Sequence, residues 1–276
     1  MSIGKVFENP FSKLERESLS ELLSEAIKLF ESEHSLVEVE EGDSVLVVGD
    51  THGDVHSSVR AFSIEAEKYI FLGDYVDRGP YQLENMIFLL AKKLELPEKV
   101  YLLRGNHESP ITNVHYGFLD EVVYRYGSQI YRLFVEVFSR LPYAALINGT
   151  TLAVHGGIAT GLKSLSELRS LPRPDEIPEN RTAFEVLWND PSEHSQGFTP
   201  SPRGYGIFLF GRDVFEAFAE AAGIRLMLRA HEYFPEGIHE YFDGKIISLF
   251  SCRYYPETTP RGLLLTPNAQ RSVVLL

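Results

Sequence analysis

Five short polar clusters hold most of the residues in this 276-residue chain that could do chemistry: GDTHG (49–53), GDYVDRG (73–79), LRGNHE (103–108), HGG (155–157) and RAH (229–231). The first three follow apolar runs and deliver Asp50 and His52, then Asp74, then Asn106 and His107. His155 follows a fourth run, and His231 follows the apolar stretch 225–229. A single Asp or His after a strand is ordinarily structural; the repetition is what carries weight here. The donors are oxygen and imidazole without thiolate, a set that suits hard or borderline divalent cations. Glycines at 49, 53, 73, 79, 105, 156 and 157 let the backbone turn tightly beside such a site.

The elements that must position these clusters are legible in outline. Val45–Val48, Tyr69–Leu72, Val100–Leu103, Ala144–Ile147 and Leu152–Val154 read as strands. Helical patterns at 54–66, 81–95 and 117–140 separate or follow them. The alternation predicts a layered α/β architecture with the polar loops along one sheet edge. Asn148-Gly149 marks a hairpin. The second half reads as meandering β structure over 206–210, 225–229, 245–250, 262–266 and 272–275, with a helix at 213–222. Residues 12–34 carry Leu14, Leu19, Leu22, Leu23, Ala26, Ile27 and Phe30 at spacings of three and four, an amphipathic helix that supports the body. The proline-rich stretch 171–179 is a loop, since candidate ligands lie on both sides of it. One domain over 1–276 is expected, with residues 1–40 a helical extension packed on a catalytic core at 43–266.

Bulk composition narrows the function classes. The net charge of −13 argues against a general grip on nucleic acid or an anionic membrane. A phosphate-handling site in such a chain must generate its own positive charge, from metal ions and a few arginines. No apolar run reaches the length of a membrane span. One cysteine, Cys252, and an N-terminus without a signal-peptide core point to a reducing, cytoplasmic setting.

The five clusters, in this order, resemble the signature set of the PPP-family serine/threonine protein phosphatases, within the wider calcineurin-like metallophosphoesterases. The resemblance runs from about 43 to 262. It implies a central β-sandwich flanked by helices on both sides, and two divalent metal ions, with manganese first and iron or zinc also accommodated. It implies Asp50 and His52 on one metal, Asp74 bridging both, and Asn106, His155 and His231 on the second. Two cations sharing a carboxylate polarise one water and clamp phosphoryl oxygens. His107 resembles the general acid, and Asp77 the partner that would orient its imidazole and keep it charged near neutral pH. Arg78 and Arg203 resemble the phosphate-gripping pair, whose guanidinium forks match phosphate oxygens. Trp188–Pro191 resembles the family's Trp-Ser-Asp-Pro and is expected to shape the site wall, with Trp188 in the core. The implied substrate is a phosphoprotein; regulatory subunits are not specified. His34, His56, His115, His194 and His239 fall outside the motifs and read as surface or structural residues.

One stretch departs from the family. Where many eukaryotic members carry Ser-Ala-Pro-Asn-Tyr-Cys, this chain has Ser251-Cys252-Arg253-Tyr254-Tyr255-Pro256, so Tyr255 takes the place of the loop tyrosine while the Asn and final Cys are missing. Two rival readings stand beside protein dephosphorylation. One is a nucleotide pyrophosphohydrolase of the diadenosine-tetraphosphatase type, which shares the early motifs. The other is a catalytically silent metal-binding scaffold.

Overall fold

Every side chain of the run Val45–Val48 is apolar, so as a strand it must be covered on both faces. The structure, a computed structural model that describes residues 3–39, 42–267 and 270–276, does so with two packed sheets and two outer layers of helices. The five-stranded sheet has the spatial order β14 (Arg271–Leu275), β13 (Arg261–Leu265), β2 (Val45–Val48), β3 (Lys68–Phe71) and β4 (Val100–Leu102). The six-stranded sheet runs β1 (Leu36–Val39), β5 (Ala144–Ile147), β6 (Thr151–Val154), β10 (Leu226–Arg229), β12 (Ile246–Leu249) and β11 (Ile238–Tyr241). A small third sheet joins β7 (Asp190–Pro191), β9 (Phe208–Phe210) and β8 (Phe198–Pro200).

The pleat sorts the side chains into three cores. Val45, Val47, Ile70 and Leu263 of one sheet meet Ala145, Ile147, Leu228, Ile247 and Leu249 of the other. The alternate residues Leu46, Val48, Phe71 and Leu102 share a core with helices α1 (Ile3–Glu8), α2 (Arg16–Glu31), α3 (Val55–Ala61), α4 (Gln82–Glu95), α6 (Phe118–Tyr126) and α7 (Ser128–Phe138), while the short α5 (Pro110–Tyr116) precedes α6 outside that core. On the far side, Leu146, Val154, Met227 and Ile246 pack against α8 (Leu165–Arg169), α9 (Arg181–Trp188) and α10 (Arg212–Ala222). Each fully buried aliphatic side chain contributes about 1.5–3 kcal/mol, so the interlocked cores hold the strand ends firmly.

Topology sets up the site. Strands β2, β3 and β4 are parallel neighbours, so their carboxyl ends line one edge. Strands β6 and β10 are also parallel neighbours, in the opposite sheet. The Asp50–Phe250 bridge ties the two sheets together beside that edge.

The expected strands and the Asn148–Gly149 hairpin are present, the turn having φ +50° and +65°. Four boundaries differ. The helix expected over 54–66 is the short α3, which stops at Ala61 with Phe62 as its C-cap. The helix expected over 117–140 is two helices, because Gly127 (φ +88°) ends α6. The amphipathic helix covers 16–31, packed on α4 and α7, with the separate α1 before it. Residues 36–39 are a strand paired with β5, not part of a helical extension, since Leu36, Val37 and Val39 are all needed in buried positions. Residues 1, 2 and 40 of that expected extension lie outside the described residues. Among the described residues no helix is long and apolar enough to cross a membrane.

Candidate metal centre

The loops after β2, β3 and β4 approach more closely than side chains at every position would allow. A Cβ on Gly73 (φ +106°) would lie 2.4 Å from the Gly105 nitrogen, and one on Gly105 would lie 2.2 Å from an Asp74 carboxylate oxygen. That closeness brings Asp74 and Asn106 to one floor, where Asp50 and His52 join them. From the other sheet, β6 and β10 deliver His155 and His231. His52, Asp74, Asp77, Arg78 and His231 all have φ between +38° and +69°, a region costly for residues with side chains and common where function fixes the backbone.

Asp74 lies between two groups of donors, His52 with His107 and His155 with His231. His52 Nε2 is 3.6 Å from one oxygen of Asp74 and 4.0 Å from Asp50. His155 Nε2 is 3.4 Å from the other Asp74 oxygen, 2.8 Å from Asn106 Oδ1 and 3.1 Å from His231 Nδ1.

The proton positions show what such a cluster fits. His52 Nδ1 donates to the Val76 carbonyl at 2.9 Å, and His155 Nδ1 donates to the Leu72 carbonyl at 2.9 Å. In the neutral rings both Nε2 atoms therefore present lone pairs inward, toward carboxylate and amide oxygens that are also acceptors. Acceptors gathered without protons fit a cation. Ligand atoms held roughly 2.0–2.2 Å from one cation lie about 3 Å from each other, the spacing around His155 Nε2. Tethering a ligand histidine through its second nitrogen to a carbonyl is also how metal sites fix ring orientation.

Electrostatics agree. Burial pushes Asp50 up to about 7 and Asp74 well above the ordinary carboxylate range, the latter helped by Asp50 and Glu108. Burial pushes His52, His155 and His231 well below the usual imidazole value. Carboxylates too negative for their surroundings and imidazoles kept neutral are what bound divalent cations would relieve.

Above this floor is a cavity of about 400 Å³, lined by Arg78, Arg203, His107, Tyr116, Trp188, Tyr233 and Tyr255 as well as floor residues. His107 Nδ1 donates to Asp77 Oδ2 at 2.8 Å, and Asn113 and the Phe118 amide hold the same carboxylate. The expectation of a charged imidazolium meets an opposing field: burial first, then Arg78 and Arg203, push His107 well down. Arg78 stacks over Tyr116 at 4.6 Å. Arg203 is held by Asp190 at 2.6 Å and by the His231 carbonyl at 3.2 Å. Tyr255 stacks on His52, ring centres 5.9 Å apart. Trp188 is only half-buried and meets His231 edge-on at 5.6 Å. It forms part of the cavity wall, as expected, and packs on the far-side core only in part, because it ends α9 at the site's mouth.

The calcineurin-like phosphoesterase family matches residues 44–235, more than half of the chain. The chain is 38% identical over 247 residues to the serine/threonine-protein phosphatase 4 catalytic subunit of Kluyveromyces lactis, spanning 88% of this chain and 79% of that one. The Saccharomyces cerevisiae counterpart is 40% identical over 216 residues, 76% of this chain and 70% of that one. The chain belongs to the calcineurin-like phosphoesterases, in their serine/threonine phosphatase family. A solved protein serine/threonine phosphatase from Saccharomyces cerevisiae superimposes with a TM-score of 0.88 at 30% identity, over 96% of this chain and 91% of that one. A cold-active protein-tyrosine phosphatase from a Shewanella species shares the fold, with a TM-score of 0.61 at 15% identity over 89% and 84% of the two chains.

This phosphatase also relies on residues that motif reading passed over. Glu108 accepts the amides of Asp74, Tyr75 and Gly105 at 2.8–2.9 Å, and so pins the backbone of the central aspartate. Arg104, fully buried, donates to the carbonyls of Asp175 and Glu176 and fastens the proline-rich loop. Asp190 joins Arg203 to the buried Arg229, 2.7 Å away. All three lie inside quoted motifs, so the signal was present. Tyr116 and Tyr233 had none. His34, His56, His115, His194 and His239 are all exposed, and none of them lines the cavity.

Proposed function

We propose that this chain hydrolyses phosphoserine and phosphothreonine esters in proteins, using Asp50, His52, Asp74, Asn106, His155 and His231 to hold two divalent cations, manganese by preference. The observation that carries the reading is the facing of that acceptor-rich floor by Arg78 and Arg203 across one cavity. When bound, the cations supply Lewis acidity toward the phosphoryl oxygens and the attacking water.

The chain's own residues supply the rest. Arg78 and Arg203 grip the phosphoryl oxygens as forked donors, with Tyr116 and Asp190 holding each guanidinium in place. His107, fixed by Asp77, presents Nε2 to the cavity and gives its proton to the departing serine or threonine oxygen. Both arginines disfavour a charged His107 before substrate arrives. A phosphate dianion between them offsets their charge, so substrate binding itself favours the imidazolium. Tyr255, Tyr233 and Trp188 form walls against which a peptide can lie. We place the protein in the cytoplasm, where a free buried thiol such as Cys252 is stable.

The test is phosphate release from a phosphoserine peptide by protein stripped of metal and reloaded with manganese, beside a dinucleotide polyphosphate. Release from the peptide is expected. Cleavage of the dinucleotide alone would move the chain to the pyrophosphohydrolase reading, and turnover of neither with any metal to a silent scaffold.

A further inference from the structure

We propose that Asp54 and Arg253 form a strut that fixes the irregular loop between β12 and β13 against the cavity mouth, making both of them positioning residues for docking of the phosphorylated chain. The proposal rests on the phosphoprotein reading above. Asp54 caps α3: its Oδ1 accepts the Ser57 amide at 3.1 Å and its Oδ2 the Ser57 hydroxyl at 2.7 Å. The same Oδ2 accepts the Arg253 amide at 2.8 Å and Arg253 Nε at 3.0 Å, and Arg253 Nη2 reaches the Ser57 hydroxyl at 3.3 Å. The Asp54 side chain is 0% exposed and Arg253 is its only ion-pair partner among the described residues, whereas Arg253 itself is 39% exposed. Lifting the loop would leave a buried carboxylate without a countercharge, which is strongly unfavourable.

What the strut holds is the pair Tyr254 and Tyr255. Tyr254 rests on Tyr81 at 6.2 Å, and Tyr81 is itself braced by Phe11 at 5.0 Å. Tyr255 packs on Phe250 at 4.8 Å and Tyr233 at 5.3 Å as well as on His52. The root of the loop is tied separately, Ser251 Oγ accepting from the Gly49 amide at 2.8 Å and donating to the Arg261 carbonyl at 2.6 Å. Losing the strut therefore frees the middle of the loop without unfastening the sheets. A small ester needs only the floor and the arginines, and Arg78, although the Tyr255 side chain also hydrogen-bonds to it, keeps its separate seat over Tyr116 when the loop loosens. A peptide must also lie against the wall that the loop forms.

The decisive variant is Arg253→Met, at a position 39% exposed where the substitution opens no core cavity and the stability lost is that of the unpaired Asp54 carboxylate. KM for a phosphoserine peptide is expected to rise about tenfold with kcat within about twofold, while hydrolysis of an aryl phosphate stays within about twofold. Arg253→Lys should recover most of the loss. Adding Asp54→Asn to Arg253→Met should restore thermal stability, by removing the unpaired carboxylate, but not KM; a merely structural pair would recover both. Amide exchange over 251–258 should quicken at least tenfold in Arg253→Met. Unchanged exchange, or equal losses on peptide and aryl phosphate, overturns the strut. A wild-type protein that cleaves only the aryl phosphate overturns the phosphoprotein reading instead, and the exchange result then decides the strut alone.

Discussion

His52 and His155 reach the floor of the cavity from strand ends and are locked by a second ring nitrogen on a main-chain carbonyl. Arg78 and Arg203 reach the same cavity as long side chains on loops, held by an aromatic face and one carboxylate. The floor cannot shift without disturbing two sheets, and its groups are buried with almost no freedom to adapt. The rim can rearrange at the cost of a few contacts. Changes to the floor should thus abolish function, and changes to the rim should grade it.

The largest effect belongs to Asp74, shared by both donor groups. Losing metal stabilisation of the transition state removes several kcal/mol, about 4, or roughly a thousandfold in rate. Asp74→Asn should show this in kcat/KM together with lost metal in elemental analysis. Retained metal and activity would contradict the shared role.

Asp50 gives the floor a pH signature. Its folded pKa, about 7, lies above the unfolded value, so between the two the native state holds a proton that the unfolded chain has released. That contribution to stability is present below the ordinary carboxylate range and is lost as pH rises toward 7. The depressed histidines act in the opposite sense, but they are common to both proteins in a comparison with Asp50→Asn. In chelator, the variant's melting temperature should gain on wild type as pH rises from about 5 to 7. With metal added, wild type should overtake it. A pH-independent difference in chelator would show that Asp50 is not held protonated.

Next comes His107→Asn, at the boundary of floor and rim. General acids contribute about 10²–10⁴, and with metals and arginines kept the loss should lie at the lower end, so phosphoserine turnover should fall about a hundredfold with fold and metal content kept. An aryl phosphate, whose leaving group needs less protonation, should lose far less. Equal losses would assign His107 to binding alone. Glu108→Gln should be milder, about 10–100-fold, because it acts through the backbone that carries Asp74, as removal of outer partners of metal sites does.

The floor was readable because each of its residues follows an apolar run whose pattern already declares a strand. The short amides and carbonyls that steer them were not, since any residue supplies them. Trp188 was half legible: its motif pointed to the site wall, and only tertiary placement shows that the same indole lines the mouth on one side and rests on the core on the other. Gly127 was visible but its helix-ending role was not; a glycine within a helical pattern can be tolerated, and here it divides α6 from α7. The strand Leu36–Val39 falls inside the expected helical extension 1–40, beyond the helix read over 12–34, because four residues offer too little periodicity to declare a strand.

The smallest of these effects belongs to Arg203→Lys, which keeps the charge and removes the fork. Hydrogen bonds to charged groups contribute about 1.5–3 kcal/mol, and a lysine retains part of that, so KM for the phosphopeptide should rise about tenfold with kcat changed less. Asp190 sharpens the point. It holds Arg203 at 2.6 Å and Arg229 at 2.7 Å, so a lysine must satisfy the same carboxylate from a single nitrogen and has no second edge for phosphate. Asp190→Asn should then weaken phosphopeptide binding in wild type and add little in the Arg203→Lys background. Full additivity of the two would mean that Asp190 does not act through Arg203, and would separate the rim from the network that anchors it beneath.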